Sequence, residues 1–288
     1  MEDRETIVKD LGQVAEMLLL NGTLTECPGL VHGKMGITVF FFYHARHDGN
    51  ELFAEYAMDL IGEMLNQIHV NSPADYEKGL AGIGVGIDHL IRNEFLKVEE
   101  DVCEDFDQRM FRAVMYDPWQ DFSQYNGLTG YGRYWMTRLS FPSPSILARK
   151  CLLRIIALIE EQLPDISIEE QTDVYCFLHD LQHISGYEKC IGLLNQCREV
   201  WNLQSAVEER NFPRLGDSTV GNIVRMHQRS RYFNVNLQGE IENTLKQIQV
   251  LDMEKAPVSA GLLNGYAGEG MLRLIALNRM NISWINLL

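Results

Sequence analysis

The sequence predicts an all-α protein, an α/α toroid (barrel) of about six helical hairpins. Three observations predict this fold. A Gly-x-x-Gly motif recurs at nearly constant spacing, apolar residues follow the 3.6-residue period of amphipathic helices, and the period-2 alternation of strands is almost absent. No linker rich in Pro, Gly or Ser divides the chain, so residues 1–288 are expected to form a single domain.

The Gly-x-x-Gly motif occurs four times in regular form and opens an apolar helix each time. The copies begin at Gly33, Gly79, Gly127 and Gly265. The first three are 46 and 48 residues apart, and the last gap of 138 residues equals three periods of 46. Two degenerate copies are therefore predicted in that gap, one from His183 and one from Arg214. Each of the six units has room for two helices.

Twelve helices are predicted in chain order. Their starts lie near residues 3, 34, 50, 79, 100, 127, 144, 167, 186, 217, 236 and 266. The helices opened by the motif are the less polar ones, with stretches such as GITVFFFY and GIGVGIDHLI, and are expected to form a buried inner ring. The glycines would let these crowded helices approach one another. The helices between them carry one apolar stripe and one charged face, which is typical of an outer ring.

Two start signals support the predicted boundaries of the outer helices. Ser143 followed by Pro144 places an N-cap before a proline at the first helical position. Ser167 and Glu170 have the spacing of a capping box. Within an inner helix, Asp88 is expected to pair with Arg92 four residues later.

Composition and charge exclude several classes of function. The formal net charge of −15 disfavours nucleic-acid binding, which depends on clustered Lys and Arg. No apolar run approaches the ~20 residues that span a bilayer, and the first ten residues do not resemble a secretory signal. The six cysteines form no Cys-x-x-Cys pair, so reduced thiols and a cytoplasmic location are expected.

The stretches GLAGIGVGIDHLI, NGLTGYGRYW and GLLNGYAGEGMLRL resemble the inner-helix motifs of lanthionine synthetase C-like (LanC-like) proteins. The resemblance covers most of the chain and is weak in the fourth and fifth repeats. It implies an α/α toroid, usually of seven hairpins in this family, so this chain would be a short or divergent member. It also implies the family's reaction, in which a central zinc ion lowers the pKa of a cysteine thiol. The thiolate then adds to dehydroalanine or dehydrobutyrine in a precursor peptide and forms a thioether ring.

The sequence departs from this family at the residues that carry the reaction. A Cys-His-Gly triplet supplies two zinc ligands in the family, and Leu263-Asn264-Gly265 stands in its place here. Arg214 replaces the cysteine that provides the third ligand, and Ser123 replaces an acidic residue ahead of the third repeat. We therefore expect no zinc or other cofactor and no cyclase activity by the family's mechanism. Whether the chain catalyses any reaction is left open.

Polar residues at the entrances of the inner helices are the candidates for binding a ligand in a central cavity. They are His32, Lys34, Ser123, Asn126, Asp217, Asn264, Tyr266 and Glu269. Helix N-termini also offer free N–H donors to an anion. Asn, Ser and Asp are ordinary N-caps as well, which is the structural alternative for those positions. Histidine is a poor N-cap, so a ligand role and a structural role are equally favoured for His32.

One group of residues has the spacing of a metal site. Cys176, His179 and His183 would share one face of a helix, and two histidines four residues apart can bind one ion. Histidines on an apolar helical face are more often core or rim residues. No metal site is therefore expected, and this group remains the weaker alternative.

Three functions follow from these observations. The first is a LanC-like protein without zinc-dependent cyclase activity. It would bind a peptide, a modified peptide or another small polar ligand in its central cavity, as an accessory to peptide modification. The second is a carbohydrate-active (α/α)6 hydrolase or lyase, with Asp121, Asp217 and Glu269 as candidate carboxylates. The third is a non-catalytic scaffold with a filled centre and an exposed apolar patch on its rim. The sequence does not indicate an oligomeric state.

Overall fold

The prediction of an all-helical chain is confirmed. The computed structural model describes residues 2–69, 71–97, 101–139, 146–201, 203, 215, 218–248, 259–278 and 282–288. Within these ranges there are twelve α-helices and two short 3-10 helices. The only β-type pairing in them is an isolated bridge between Ser259 and Gly265.

Each described α-helix begins within four residues of its predicted start. The helices are α1 (Glu2–Asn21), α2 (Lys34–Asp48), α3 (Glu51–Gln67), α4 (Leu80–Arg92), α5 (Glu104–Met115), α6 (Leu128–Leu139), α7 (Ile146–Gln162), α8 (Ile168–Leu181), α9 (Lys189–Val200), α10 (Thr219–Tyr232), α11 (Gln238–Lys246) and α12 (Tyr266–Asn278). The 3-10 helices, Leu163–Asp165 and Ile282–Leu287, were not predicted. None of the described helices has both the length and the apolar content that crossing a membrane requires.

Two predictions that concern single helices are confirmed within the described residues. The capping box of Ser167 and Glu170 is formed at the start of α8. Asp88 accepts a hydrogen bond from Arg92 Nε at 2.6 Å. The predicted N-cap at Ser143 lies outside the described residues.

Six helices contact one another in a series that returns to its start. α2 contacts α4, α4 contacts α6, α6 contacts α8, α10 contacts α12, and α12 contacts α2. The carboxylate of Asp180 on α8 joins that helix to α10, because it accepts hydrogen bonds from Arg231 at 2.8 Å and Tyr232 at 2.7 Å. The other six helices pack on this series: α1 on α12, α3 on α2, α5 on α4, α7 on α6, α9 on α8 and α11 on α10. The buried apolar side chains of both sets form one cluster.

Glycines allow three of these helix pairs to pack closely. A Cβ atom at Gly84 of α4 would overlap the ring of Tyr134 on α6. In the same way, Gly132 of α6 faces Phe177 of α8, and Gly270 of α12 faces Phe40 of α2. All three glycines lie five residues after the first glycine of their motif. The motif glycines form the loop before each helix, and the glycine five residues after the first one allows the helix to pack closely against its neighbour.

The predicted position of the fourth motif-bearing helix is wrong. The degenerate copy from His183 leads into α9, but the helix that contacts α6 is α8, and α9 packs on α8. α8 is the more deeply buried of the two, with residues such as Val174 and Leu178 fully buried. No Gly-x-x-Gly motif precedes α8. The search for a motif at the expected spacing therefore led to the next glycine, Gly186. That residue has a φ of 93° and lies in the turn between the two helices.

Candidate functional site

The four Gly-x-x-Gly loops share one backbone geometry. In each loop, the first residue of the helix donates its N–H to the carbonyl oxygen of the residue seven positions earlier, at 2.8–3.0 Å. The pairs are Lys34 to Cys27, Leu80 to Pro73, Leu128 to Asp121 and Tyr266 to Ser259. A Cβ atom at the motif glycines would overlap main-chain carbonyl groups of the same loop, as at Gly33 and Gly36. The motif is therefore explained by a tight loop and needs no bound ligand.

Hydrogen bonds between equivalent positions join these loops into a continuous rim. Leu263 donates its N–H to Val31 O at 3.1 Å, Val31 donates to Glu77 O at 3.2 Å, and Glu77 donates to Tyr125 O at 3.0 Å. Each of these four residues lies two positions before the first glycine of its motif. The order of the loops along the rim is therefore the order in which the helices contact one another.

At the start of α8, side-chain carboxylates take the place of a glycine loop and accept hydrogen bonds from the third loop. Gln124 donates its N–H to Asp173 Oδ2 at 2.8 Å, and Phe122 donates to Glu170 Oε1 at 2.6 Å. Because these acceptors are charged, the hydrogen bonds are stronger than those between main-chain groups. Asp173 and Glu170 thus replace the missing loop of the fourth repeat.

Several of the predicted ligand residues lie along this rim, where they form hydrogen bonds or ion pairs with other residues of the protein. Burial lowers the pKa of His32, and Glu77 at 3.7 Å counteracts that shift. The Asn264 side chain accepts a short hydrogen bond from Ser218 Oγ. The hydroxyl of the buried Ser123 faces the main-chain N–H of the exposed Asn126 at 3.4 Å. Neither contact is to an N–H group in the first turn of α6 or α12, so these contacts do not test the capping alternative.

The remaining predicted ligand residues are not gathered with these. The buried Lys34 pairs with Glu63 of the outer helix α3, at 2.5 Å. Glu269 pairs with Arg273 at 2.8 Å, and Arg273 also lies 3.5 Å from Asp10 of α1. Tyr266 is half-buried at the start of α12. Asp217 lies outside the described residues. The structure therefore does not bring the predicted set around one ligand.

The residues at the family's zinc-ligand positions do not fit a zinc ion. Leu263 is buried and offers no donor atom to a metal. Asn264 has a φ of 56°, and its side-chain oxygen is engaged by Ser218. Arg214 is not among the described residues. Leu263 and Asn264 therefore do not support a zinc-dependent reaction at this position.

The alternative metal group of Cys176, His179 and His183 is also not assembled. Within the described part of the chain, no three His, Cys, Asp or Glu side chains are arranged to hold a metal ion. The ring of His179 packs against His183 and Tyr232, both with centroids at 5.3 Å. Cys176 is buried, and burial raises the pKa of its thiol. His183 lies beyond the last residue of α8, so the three residues do not share one helix.

Residues 282–288, which no sequence pattern singled out, lie against α2, α4, α6 and α10. We call them the 282–288 segment. It contacts α4 and forms a side-chain hydrogen bond between Ser283 and Tyr43 of α2. Trp284, Ile285, Leu287 and Leu288 are only 1–3% exposed. The segment is too short for a helical period to be recognised, and its composition, ISWINLL, was the only signal that it would be buried.

Three consecutive main-chain oxygens of the segment accept hydrogen bonds from side chains of the rim and inner helices. Arg133 Nη2 donates to Asn286 O at 3.3 Å. Tyr76 Oη donates to Leu287 O at 2.9 Å. Leu288 O accepts from Gln124 Nε2 at 2.6 Å, from Tyr125 Oη at 3.1 Å and from Gln228 Nε2 at 3.4 Å. Donors from the second and third loops and from α6 and α10 thus converge on one peptide backbone.

The groups that hold this backbone are donors at neutral pH. Burial raises the pKa of Tyr76 and of Tyr125, so both hydroxyls keep their protons. Arg231 Nη1 also donates to the Asn286 side-chain oxygen, at 2.7 Å. A second guanidinium, that of Arg133, has one nitrogen, Nη1, which is buried without a hydrogen-bond partner. These donors favour an electron-rich group at the segment, while the carboxylate of Asp180 lies beside the same guanidinium groups and pairs with Arg231 at 2.8 Å.

A separate surface feature lies outside the rim, between the third loop and α8. Two clefts of about 700 and 460 Å³ share Asp117, Trp119 and Asp121. Trp119 is 59% exposed, and Asn126 lines the smaller cleft. Glu269 lines neither cleft and is paired with Arg273. Of the three carboxylates named for the carbohydrate-active alternative, Asp121 therefore lines these clefts and Glu269 does not, and Asp217 lies outside the described residues.

No family model matches this chain, and a search of curated proteins also found no match. Its function is therefore inferred from its own residues.

Proposed function

We propose that this chain is a LanC-like α/α toroid that binds a peptide at its centre and does not form thioethers with zinc. In this proposal α2, α4, α6, α8, α10 and α12 form the inner ring, and the other six helices form the outer ring. The contacts that return from α12 to α2, and the rim of similar loops, support this arrangement. The role would be that of an accessory to peptide modification in the cytoplasm.

The observation that carries the proposal is the 282–288 segment. It is a short peptide with its apolar side chains buried and its main-chain oxygens bound by Arg133, Tyr76, Gln124 and Tyr125. An apolar pocket with a few convergent polar groups is the usual form of a ligand site. Because the donors bind main-chain oxygens, the same site suits peptides of different sequence.

The absence of cyclase chemistry is proposed from the residues at the reacting positions. Leu263 and Asn264 provide no thiolate or imidazole to hold zinc, so a substrate thiol would keep its ordinary pKa and stay mostly protonated. The described cysteines do not replace this function. Burial raises the pKa of Cys103, Cys151 and Cys197 to about 12, which leaves them inert as nucleophiles at neutral pH.

A scaffold without a ligand is the second candidate, and the filled centre favours it. In that case the 282–288 segment is a permanent part of the core, and partners bind elsewhere. The two candidates differ in one measurable property, which is whether a free peptide binds among the inner helices.

The test combines metal content, reaction and binding on the purified full chain. We expect less than about a tenth of an equivalent of zinc by plasma mass spectrometry. We also expect no faster loss of free thiol from a synthetic peptide that carries dehydroalanine and cysteine than in buffer with zinc alone. The same peptide, labelled with a fluorophore, should bind in an anisotropy titration. One equivalent of zinc together with accelerated thiol loss would overturn the metal-free assignment, and the absence of binding would favour the scaffold.

A further inference from the structure

We infer that the 282–288 segment is a built-in competitor for the central peptide site. The ligand of that site would then be an apolar peptide that adopts a 3-10 turn and is held by its main-chain oxygens. This inference rests on the proposed function and adds the class of ligand and the means by which its access is limited.

The backbone contacts define how such a peptide would be held. The segment forms a 3-10 turn in which Leu288 donates its N–H to Ile285 O at 3.0 Å. This turn points three successive main-chain oxygens at donors that belong to the rim and to α6 and α10. Any peptide that makes the same turn presents the same oxygens, so the donors select conformation and not side chains.

The side chains of the segment define the chemical class of the ligand. Trp284, Ile285, Leu287 and Leu288 are buried, whereas Asn286 is exposed and is held by Arg231 and His227 at 2.7 and 3.1 Å. A ligand would therefore have large apolar residues with one polar residue among them. The polar residue must accept hydrogen bonds, because both of its partners in α10 can donate them.

Two buried donors at the segment bear on which ligand the site would prefer. Trp284 Nε1 and Arg133 Nη1 are both buried without a hydrogen-bond partner. A buried donor without a partner loses its hydration and gains nothing in return. A peptide that provides an acceptor to Arg133, or that replaces the indole with an apolar ring, would be held better than the segment itself.

Two peptides cannot occupy one site, so the segment must leave before a ligand can bind. The apparent Kd of the ligand then equals its intrinsic Kd divided by the fraction of molecules in which the segment is displaced. Weakening the segment without altering the donors raises that fraction, and the apparent affinity for an added peptide should rise.

The experiment measures binding of a fluorescein-labelled peptide of sequence ISWINLL to four full-length proteins. These are the wild type, Trp284→Ala, Trp284→Ala with Tyr125→Phe, and Trp119→Ala. Trp284→Ala removes the largest buried side chain of the segment and is expected to tighten binding at least ~10-fold. With the segment already displaced by Trp284→Ala, adding Tyr125→Phe mainly removes one donor to the bound peptide and should weaken binding again by about 3- to 10-fold. Trp119→Ala, a tryptophan change in the surface clefts, should leave the affinity at the wild-type value.

Each other outcome has a distinct meaning. If the wild type and Trp284→Ala bind the peptide equally, the segment is not a competitor, although peptide binding itself stands. If none of the proteins binds it, both the inference and the proposed function are overturned. Loss of binding only in Trp119→Ala would place the peptide in the surface clefts and overturn the inference.

A second variant, Asn286→Ala, tests the same inference if Trp284→Ala fails to fold. Asn286→Ala removes only the exposed clamp to Arg231 and His227 and leaves the apolar side chains of the segment in place. It should fold like the wild type, with the same circular dichroism spectrum and melting temperature. We expect it to tighten peptide binding by about 2- to 5-fold. An unchanged affinity in this folded variant contradicts the competitor.

Discussion

Charged residues of the motif-bearing helices have two kinds of partner, and only one kind can be predicted from the sequence. The pair of Asp88 and Arg92 lies within one helix, where the spacing of four residues places the side chains together. Lys34 and Glu63 are also paired, but they lie on α2 and α3, and no spacing rule indicates that these faces meet. The sequence therefore indicated which residues were candidates for the site, but the contacts that these residues make depend on how the helices pack.

His44 shows how burial of a single residue affects stability. Its ring lies in α2 against Phe40 and Phe53, with centroids at 5.4 and 4.5 Å, and burial lowers its pKa from 6.5 to about 4. Between these values the unfolded chain binds a proton that the folded chain does not. The free energy of unfolding therefore falls as the pH falls from about 6.5 towards about 4.

We predict that His44→Phe reduces this loss of stability in acid. Phenylalanine keeps the aromatic packing and has no proton to bind. Urea unfolding at about pH 7 and about pH 4.5 should show the variant losing about 2–3 kcal/mol less than the wild type. His183→Phe, at an exposed histidine, is the matched control and should lose as much as the wild type. Equal losses in His44→Phe and the wild type would contradict the assignment of this acid sensitivity to His44.

The helices themselves were largely predictable. Twelve starts could be placed because the motif glycines and the 3.6-residue apolar period act within each segment. The start of α8 was predicted, but α9 was expected in its place beside α6, because carboxylates and not a glycine loop bind the neighbouring loop at the start of α8. The 282–288 segment was missed because its burial comes from surrounding helices that are distant in the sequence. Long-range contacts of this kind leave no local pattern.

Packing between α12 and α2 gives a prediction at the scale of elements. Gly270 lies against Phe40, which is fully buried, and a Cβ atom at Gly270 would also lie 3.0 Å from Val14 Cγ1 of α1. Gly270→Ala should lower the free energy of unfolding by about 1–3 kcal/mol, because the ring has no space to move into.

Gly62→Ala is the matched control for this change. Gly62 lies within α3, and a Cβ atom there would meet no atom within 4 Å. Alanine favours the helix, so this variant should be more stable than the wild type by about 0.5–1 kcal/mol. Urea unfolding measures both variants. Equal stability of Gly270→Ala and Gly62→Ala would show that α12 and α2 are not packed this closely.

At the scale of the whole molecule, charge is distributed unevenly. The chain carries a net charge of −15, and five carboxylates, Asp75, Asp117, Asp121, Glu169 and Glu170, line the two surface clefts. The groups that face the 282–288 segment include Arg133, Arg231 and neutral amide and hydroxyl donors. The proposed peptide site is therefore lined mainly by hydrogen-bond donors, whereas the surface clefts are lined mainly by carboxylates.

The central claim is that the 282–288 segment lies buried among the inner helices, and acrylamide quenching of tryptophan fluorescence tests it most directly. Of the four tryptophans, Trp119 is 59% exposed, and Trp135, Trp201 and Trp284 are at most 5% exposed. We predict that Trp119→Phe emits as a set of buried indoles, with little quenching by acrylamide, and that adding Trp284→Phe leaves the quenching constant unchanged. A large quenchable component in Trp119→Phe that disappears with Trp284→Phe would place the segment in solvent and contradict the central claim.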